Sequence, residues 1–258
     1  MDWNMAESDL QFMKKLEPDG CFVLWQAQER VGIATCISYG KTGWFGNLAV
    51  KEEYRNEGAG TFLVKNAVEY LRNRGVETVG LYAYQHLVGF YKRVGFKPQD
   101  EFAVLNGVTV AYRQLDMLRV ANEKDVQMLV EFDQRCFGWN RDRLLKSILR
   151  EKGNLCFFSV QNGEISGFVG AKAYDEMAEI GPLVCRQDSR DVAVELLKSI
   201  LSRLKKLDVY VCVPVKEKAL METLQKAGLK EKFRLTRMFL GPVPAQSCVY
   251  MPESLERG

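Results

Sequence analysis

Two glycines set where a strand hands over to a helix constrain this chain most: Gly58 and Gly60, within Arg55-Asn56-Glu57-Gly58-Ala59-Gly60. Upstream, Gly46-Asn47-Leu48-Ala49-Val50 reads as a short apolar strand. Downstream, Leu63, Ala67, Tyr70 and Leu71 recur every three or four residues. That spacing predicts a helix over 61–74, with Gly75 as its stop. A helix N-terminus leaves backbone N–H groups without intrahelical partners and carries the positive end of the dipole. Side chains at 58 and 60 would keep a ligand off that backbone, and glycine has none. The pattern predicts an anion site, for a phosphate or pyrophosphate. A flexible turn before a helix has the same local signature, so the context decides. A second strand over 78–84 follows, and then a short helix over 87–96 ended by Gly95.

The chain also repeats itself. Trp3-Asn4 opens a segment running through "GCFVLWQAQERVGIATCIS" to "GNLAV", and Trp139-Asn140 opens another through "NLCFFSVQNGEISGFVGAKA" to "GPLVC". Each reads as helix, strand, polar turn (Gln28-Glu29-Arg30; Gln161-Asn162-Gly163-Glu164) and returning strand, a β-hairpin. Leu48-Ala49-Val50 then matches Leu183-Val184-Cys185, and Gly95 matches Gly228. Two copies of one α/β unit predict two domains, 1–116 and 117–258. The first is expected to finish over 102–113, with a turn at Asn106-Gly107 between its last strands.

Composition narrows the class. Of 258 residues 47% are hydrophobic and 27% charged, enough apolar mass for real cores. A net charge of +3, with no dense Lys/Arg cluster, argues against nucleic acid. "LKSILSRLKK" is basic, but its Leu and Ile recur at helical spacing, as on a solvated helix face. No apolar run reaches membrane-spanning length, and acidic residues interrupt the first twenty positions as they would not in a signal peptide. Seven scattered cysteines without a C-x-x-C pair fit a reducing, cytoplasmic setting. A single histidine and no ligand cluster predict no metal.

In order, the strand, the Arg-x-x-Gly-x-Gly helix start, the next strand and "FYKRVGF" resemble the GNAT superfamily of acyl-CoA-dependent N-acetyltransferases. Tandem GNAT-like proteins with a degenerate C-terminal half look similar over almost the whole length, including "RMFLGP" and the closing "VYMPESLERG". The resemblance implies an α/β fold of two tandem GNAT-like domains, each a mixed, mostly antiparallel twisted sheet flanked by helices. The second copy carries a strand and helix before Trp139, over 117–120 and 123–132. The first copy lacks the family's usual first strand and helix. The stretch 248–251 is a candidate to cover the edge that leaves. Where the first copy has Arg55-x-x-Gly58-x-Gly60, the second reads Arg190-x-x-Ala193-x-Glu195, with a carboxylate that would repel pyrophosphate. Leu224 stands where the first copy has Tyr91.

The resemblance also implies roles. Leu48, Ala49 and Val50 would lie against the pantetheine arm and acyl carbonyl of acetyl-CoA. Arg55, Asn56, Glu57, Gly58, Ala59, Gly60 and Thr61 would hold its pyrophosphate, chiefly through backbone N–H groups. Tyr91 occupies the family's general-acid position and would protonate the leaving thiolate. An aromatic packed under the sheet is its plain structural alternative. No base is evident. His86 lies in the turn before the Tyr91 helix, where surface placement is the simpler reading, and Tyr84 replaces an asparagine common at that corner. The expected activity is transfer of acetyl from acetyl-CoA to an unidentified primary amine. An acyl-CoA-binding regulator with little turnover is the alternative, and an interaction protein with both halves degenerate fits worse, given intact Gly58, Gly60 and Tyr91.

Overall fold

A computed structural model describes residues 7–109, 118–245 and 247–258. Trp3-Asn4, Met117 and the 116/117 boundary therefore lie outside the described residues. The chain forms two compact units, each assembled from separated segments: residues 1–98, 238–243 and 255–258 in one, 99–237 and 244–254 in the other. A single cut at 116/117 is not how the compact units divide. The first copy's last strand and part of the chain's C-terminal region are reassigned.

Unit 1 opens, among its described residues, with helix α1 (Glu7–Leu16). Strands β1 (Cys21–Gln26), β2 (Glu29–Ser38) and β3 (Thr42–Val50) follow as an antiparallel meander. The β1–β2 loop is Ala27-Gln28, one step earlier than the spacing predicts, because Gln26 pairs with Glu29 and Ala27 takes a positive φ of 52°. Helix α2 (Ala59–Asn73) crosses over to β4 (Thr78–Tyr84), and α3 (Val88–Arg93) comes next. The α2 stop is the expected one: Gly75 has φ +81° and donates to the Arg72 carbonyl. Strand β4 runs parallel to β3 only over Thr42–Trp44 and Thr78–Gly80. Residues 45–50 continue without β4 beside them, so the two strands part. Phe45, Leu63, Val64, Ala67, Leu71, Val79, Leu81 and Phe96 are buried between the sheet and its helices.

Unit 2 takes most of strand β5 (Lys97–Val108). Asn106-Gly107 is no turn. Asn106 is buried inside β5 and donates to Asp208 Oδ1 at 2.6 Å, and the strand pairs throughout its second half with β10 (Asp208–Pro214). The order continues with β6 (Arg119–Val120), α4 (Val126–Phe137), α5 (Asp142–Leu149), β7 (Leu155–Gln161), β8 (Glu164–Ala173) and β9 (Met177–Arg186). Then come α6 (Arg190–Arg203), α7 (Lys218–Lys226), β11 (Lys230–Leu240) and β12 (Cys248–Met251). The β7–β8 loop is Asn162-Gly163, the centre of the expected four-residue turn, with φ 53° and 81°, the conformation a two-residue hairpin turn demands. Leu183, Leu196, Leu197, Ile200, Val209 and Val249 centre a second core.

Strand β12 does not cover an edge of the first domain. It pairs antiparallel with Leu183–Arg186 of β9, inside unit 2. Strand β10 pairs with β9 only over Met177–Ile180, so β12 takes the stretch that β10 leaves open. Tyr250 fixes it there. Its ring stacks on Phe137 at 4.3 Å, and its hydroxyl accepts from Arg141, which also forms a buried pair with Asp133 at 2.6 Å.

Candidate functional site

The two units share the parting of strands but fill it differently. In unit 1, β3 carries a bulge where it leaves β4: Asn47 sits at φ +51°, and its amide donates to Thr35 Oγ1 at 3.0 Å. A bulge re-aims the residues after it, so Leu48 and Val50 turn toward the α2 side. This strand runs into residues 51–58, which are exposed apart from the half-buried Tyr54. The loop is tethered rather than loose. Lys51 N donates to the Val31 carbonyl at 2.9 Å, Tyr54 OH donates to Glu29 at 2.8 Å, and Lys51 pairs with the same carboxylate. These hydrogen bonds, that of Lys51 first, hold the Glu29 carboxyl below its ordinary range. Arg55 folds back, its Nε donating to the Val50 carbonyl at 3.1 Å.

The glycines differ in why they are there. Gly58 has φ +91° and caps α2, a conformation that disfavours L side chains. Gly60 has no such strain. A Cβ built on it would meet Phe90 at 3.5 Å, an ordinary contact, so the fold itself tolerates a side chain at 60. Helix α2 begins at Ala59, two residues earlier than predicted. The N–H groups at its start therefore follow directly on Gly58 and include that of Gly60.

Tyr91 lies beside this junction. Its ring meets Phe90 at 4.9 Å, Phe96 at 5.9 Å and Phe45 of β3 at 6.4 Å, and it is 5% exposed. Among the described residues its hydroxyl makes no hydrogen bond, and burial alone pushes the phenol well above its ordinary range. Helix α3 thus brings Phe90 to Gly60 and Tyr91 to β3. His86 is exposed and 5.8 Å from the Tyr84 ring, centroid to centroid.

In unit 2 the corresponding connection is short: three residues (187–189) between β9 and α6, against eight (51–58) between β3 and α2. Arg190, Ala193 and Glu195 consequently do not replace the glycine loop. They lie within α6, where Ala193 is buried and Glu195 pairs with Lys198 at 3.0 Å. The second copy is shorter by five residues at this point. Leu224 is the positional partner of Tyr91: both helices end at a glycine with φ near +97°, and the residue after that glycine donates back to the Tyr91 or Leu224 carbonyl. Among the described residues no group of three or more His, Cys, Asp or Glu could hold a metal, and no helix is long and apolar enough to cross a membrane.

Residues 1–96 match the family model described as "Acetyltransferase (GNAT) family", and residues 129–249 match that of the "Acetyltransferase (GNAT) domain". The chain belongs to the GNAT superfamily. Its relatives include a holothin acyltransferase of Pseudoalteromonas sp. (strain SANK 73390), 22% identical over 94% of this chain and 82% of that one. A solved protein from Pyrococcus horikoshii, described as an acetyltransferase, shares the fold with a TM-score of 0.81. It is 24% identical, over 97% of this chain and 84% of that one. A tandem GNAT protein from the clavulanic acid biosynthesis pathway has a TM-score of 0.60 at 13% identity, over 91% of this chain and 88% of that one. The tandem GNAT arrangement and its mixed, mostly antiparallel sheets are thereby established.

Residue spacing alone did not reveal three features of the site. The Asn47 bulge, the packing of Phe90 on Gly60 and the approach of residues 255–258 to β3 depend on tertiary contacts. Only Gly46, a glycine inside an apolar strand, signals a close backbone approach.

Proposed function

We propose that unit 1 is an acyl-CoA-dependent N-acyltransferase that moves acetyl from acetyl-CoA to a primary amine. The observation that carries this is the β3 edge over 45–50, free of β4 and leading straight to the glycine-capped start of α2. An extended pantetheine arm fits such an edge as an added strand would, and the N–H groups after Gly58 fit its pyrophosphate. The open space around Gly58 and the tolerated contact at Gly60 support a cradle kept clear for a ligand rather than for the fold. On this reading Leu48, Ala49 and Val50 hold the pantetheine, and residues 55–61 hold the pyrophosphate. The Arg55 side chain is steadied by the Val50 carbonyl.

Acetyl-CoA supplies an activated thioester. The amine nitrogen forms a bond to the acyl carbon, the carbon–sulfur bond breaks, the amine loses a proton and the thiolate gains one. Tyr91 is the proposed proton source, protonated through the working range because burial raises its pKa. Residues 117–258 are the supporting half, with no cradle at the start of α6 and β12 laid along β9. The absence of any disulfide among the seven cysteines supports a cytoplasmic setting.

A thiol-release assay with acetyl-CoA against a panel of primary amines tests the proposal. Amine-dependent release is expected. Saturable acetyl-CoA binding without release from any amine would favour the regulatory alternative.

A further inference from the structure

We infer that residues 255–257 form the stop that limits how long an acyl group the unit 1 site accepts. The inference rests on the proposed placement of the acyl carbonyl at Leu48. Residues 255–258 belong to unit 1 and are held against its strands. Trp44 Nε1 donates to the Leu255 carbonyl at 3.1 Å, and Tyr39 OH donates to the Arg257 carbonyl at 2.7 Å. The Arg257 guanidinium lies over the Phe12 ring of α1 at 5.1 Å and is almost wholly buried. Between these anchors Glu256 passes directly over Gly46. A Cβ on Gly46 would lie 2.7 Å from the Glu256 Cα and carbonyl oxygen and 2.9 Å from its Cβ, closer than such atoms come. Gly46 is therefore glycine for room, to let a backbone lie on β3.

The face matters. Side chains alternate along a strand, and Phe45 points into the core with α2. Position 46 thus points to the opposite face, where α1 and residues 255–258 lie. Trp44, two residues back on that face, packs its ring against Tyr82 at 5.0 Å. An acyl group that starts at Leu48 and passes between the parted strands meets Glu256 after two residues of strand. The bulge at Asn47 makes that at most roughly 6.6 Å, and allowing for van der Waals contact leaves no more than roughly 3 Å, room for a chain of a few carbons. The close approach, without a site beside it, recurs in unit 2. Gly181, the counterpart of Gly46, leaves its Cβ space to the Pro252 carbonyl at 2.0 Å, and there the same C-terminal segment also covers residues 183–186.

The test is a calorimetric titration of the full chain with acetyl-, butyryl- and octanoyl-CoA. Octanoyl-CoA is expected to bind the wild type at least about tenfold more weakly than acetyl-CoA, since overfilling a packed pocket costs about that much. Removing residues 255–258 takes away the backbone above Gly46 and should bring the two ligands within about threefold of each other. Glu256→Ala keeps the Cα, Cβ and carbonyl that cover Gly46 and should keep the discrimination. Equal affinities along the wild-type series, or an unchanged ratio without residues 255–258, would overturn the inference. The wild-type series needs no variant, so it decides even if the shortened chain folds poorly. Failure of acetyl-CoA itself to bind the wild type is a different result: it removes the underlying site reading as well.

Discussion

Tyr91 combines two properties that usually exclude each other. It is packed among Phe45, Phe90 and Phe96 like a core aromatic, yet its hydroxyl has no partner among the described residues. The sequence identified the position through "FYKRVGF" and its distance to Gly95, but it held no information on how deep the ring would sit. Tyr91→Phe keeps every ring contact and removes the proposed acid. Turnover should fall by about 10²–10⁴-fold, with acetyl-CoA affinity and melting temperature nearly unchanged. Steady-state thiol release beside a binding titration and a thermal melt checks this. The pH dependence follows with a definite sign. Burial raises the phenol pKa, so the acid form persists as pH rises and ionisation of Tyr91 produces no fall in turnover up to pH 10, about the ordinary tyrosine value. An alkaline limb below that pH, present in the wild type and absent from Tyr91→Phe, would keep Tyr91 as the acid but contradict the buried, raised phenol described here.

At the scale of elements, local pattern was legible wherever it was carried by periodicity and punctuation. Strand β4, the α2 stop at Gly75 and the Asn162-Gly163 hairpin were all readable, since each is decided within a few residues. Pairing between distant segments was not. The turn signal of Asn106-Gly107 loses to the continuous ladder with β10, and β12 goes to β9 rather than to an edge of unit 1. The short unit 2 connection was hidden for a related reason: helix α6 supplies residues of the right type at the wrong depth. Strand β12 is held by a buried charge network that no spacing announces. Arg141→Ala leaves Asp133 buried without its cation and deprives Tyr250 of its donor, a loss of about 3–5 kcal/mol. Urea denaturation should show a lower midpoint with an unchanged slope, the product of midpoint shift and slope giving a loss of that size. A loss below about 1 kcal/mol would mean the pair is structurally idle.

For the molecule as a whole, two α/β copies predicted two domains of one fold, and the GNAT matches over 1–96 and 129–249 agree with that duplication. The compact units nevertheless trade segments, which the order of the chain cannot reveal. What distinguishes the copies functionally is a five-residue difference in loop length (eight against three) and the occupant of the parted strand. The account therefore requires a single acyl-CoA site per chain, in unit 1, with its pyrophosphate at Gly58–Gly60. Calorimetric titration with acetyl-CoA, run on the wild type and on Gly60→Glu, tests this most directly. The fold has room for a Cβ at position 60, so Gly60→Glu should melt like the wild type while its carboxylate repels the pyrophosphate. The predicted result is one site per wild-type chain and loss of binding in the folded variant. Two equivalent sites per chain, or normal affinity in Gly60→Glu, would contradict it.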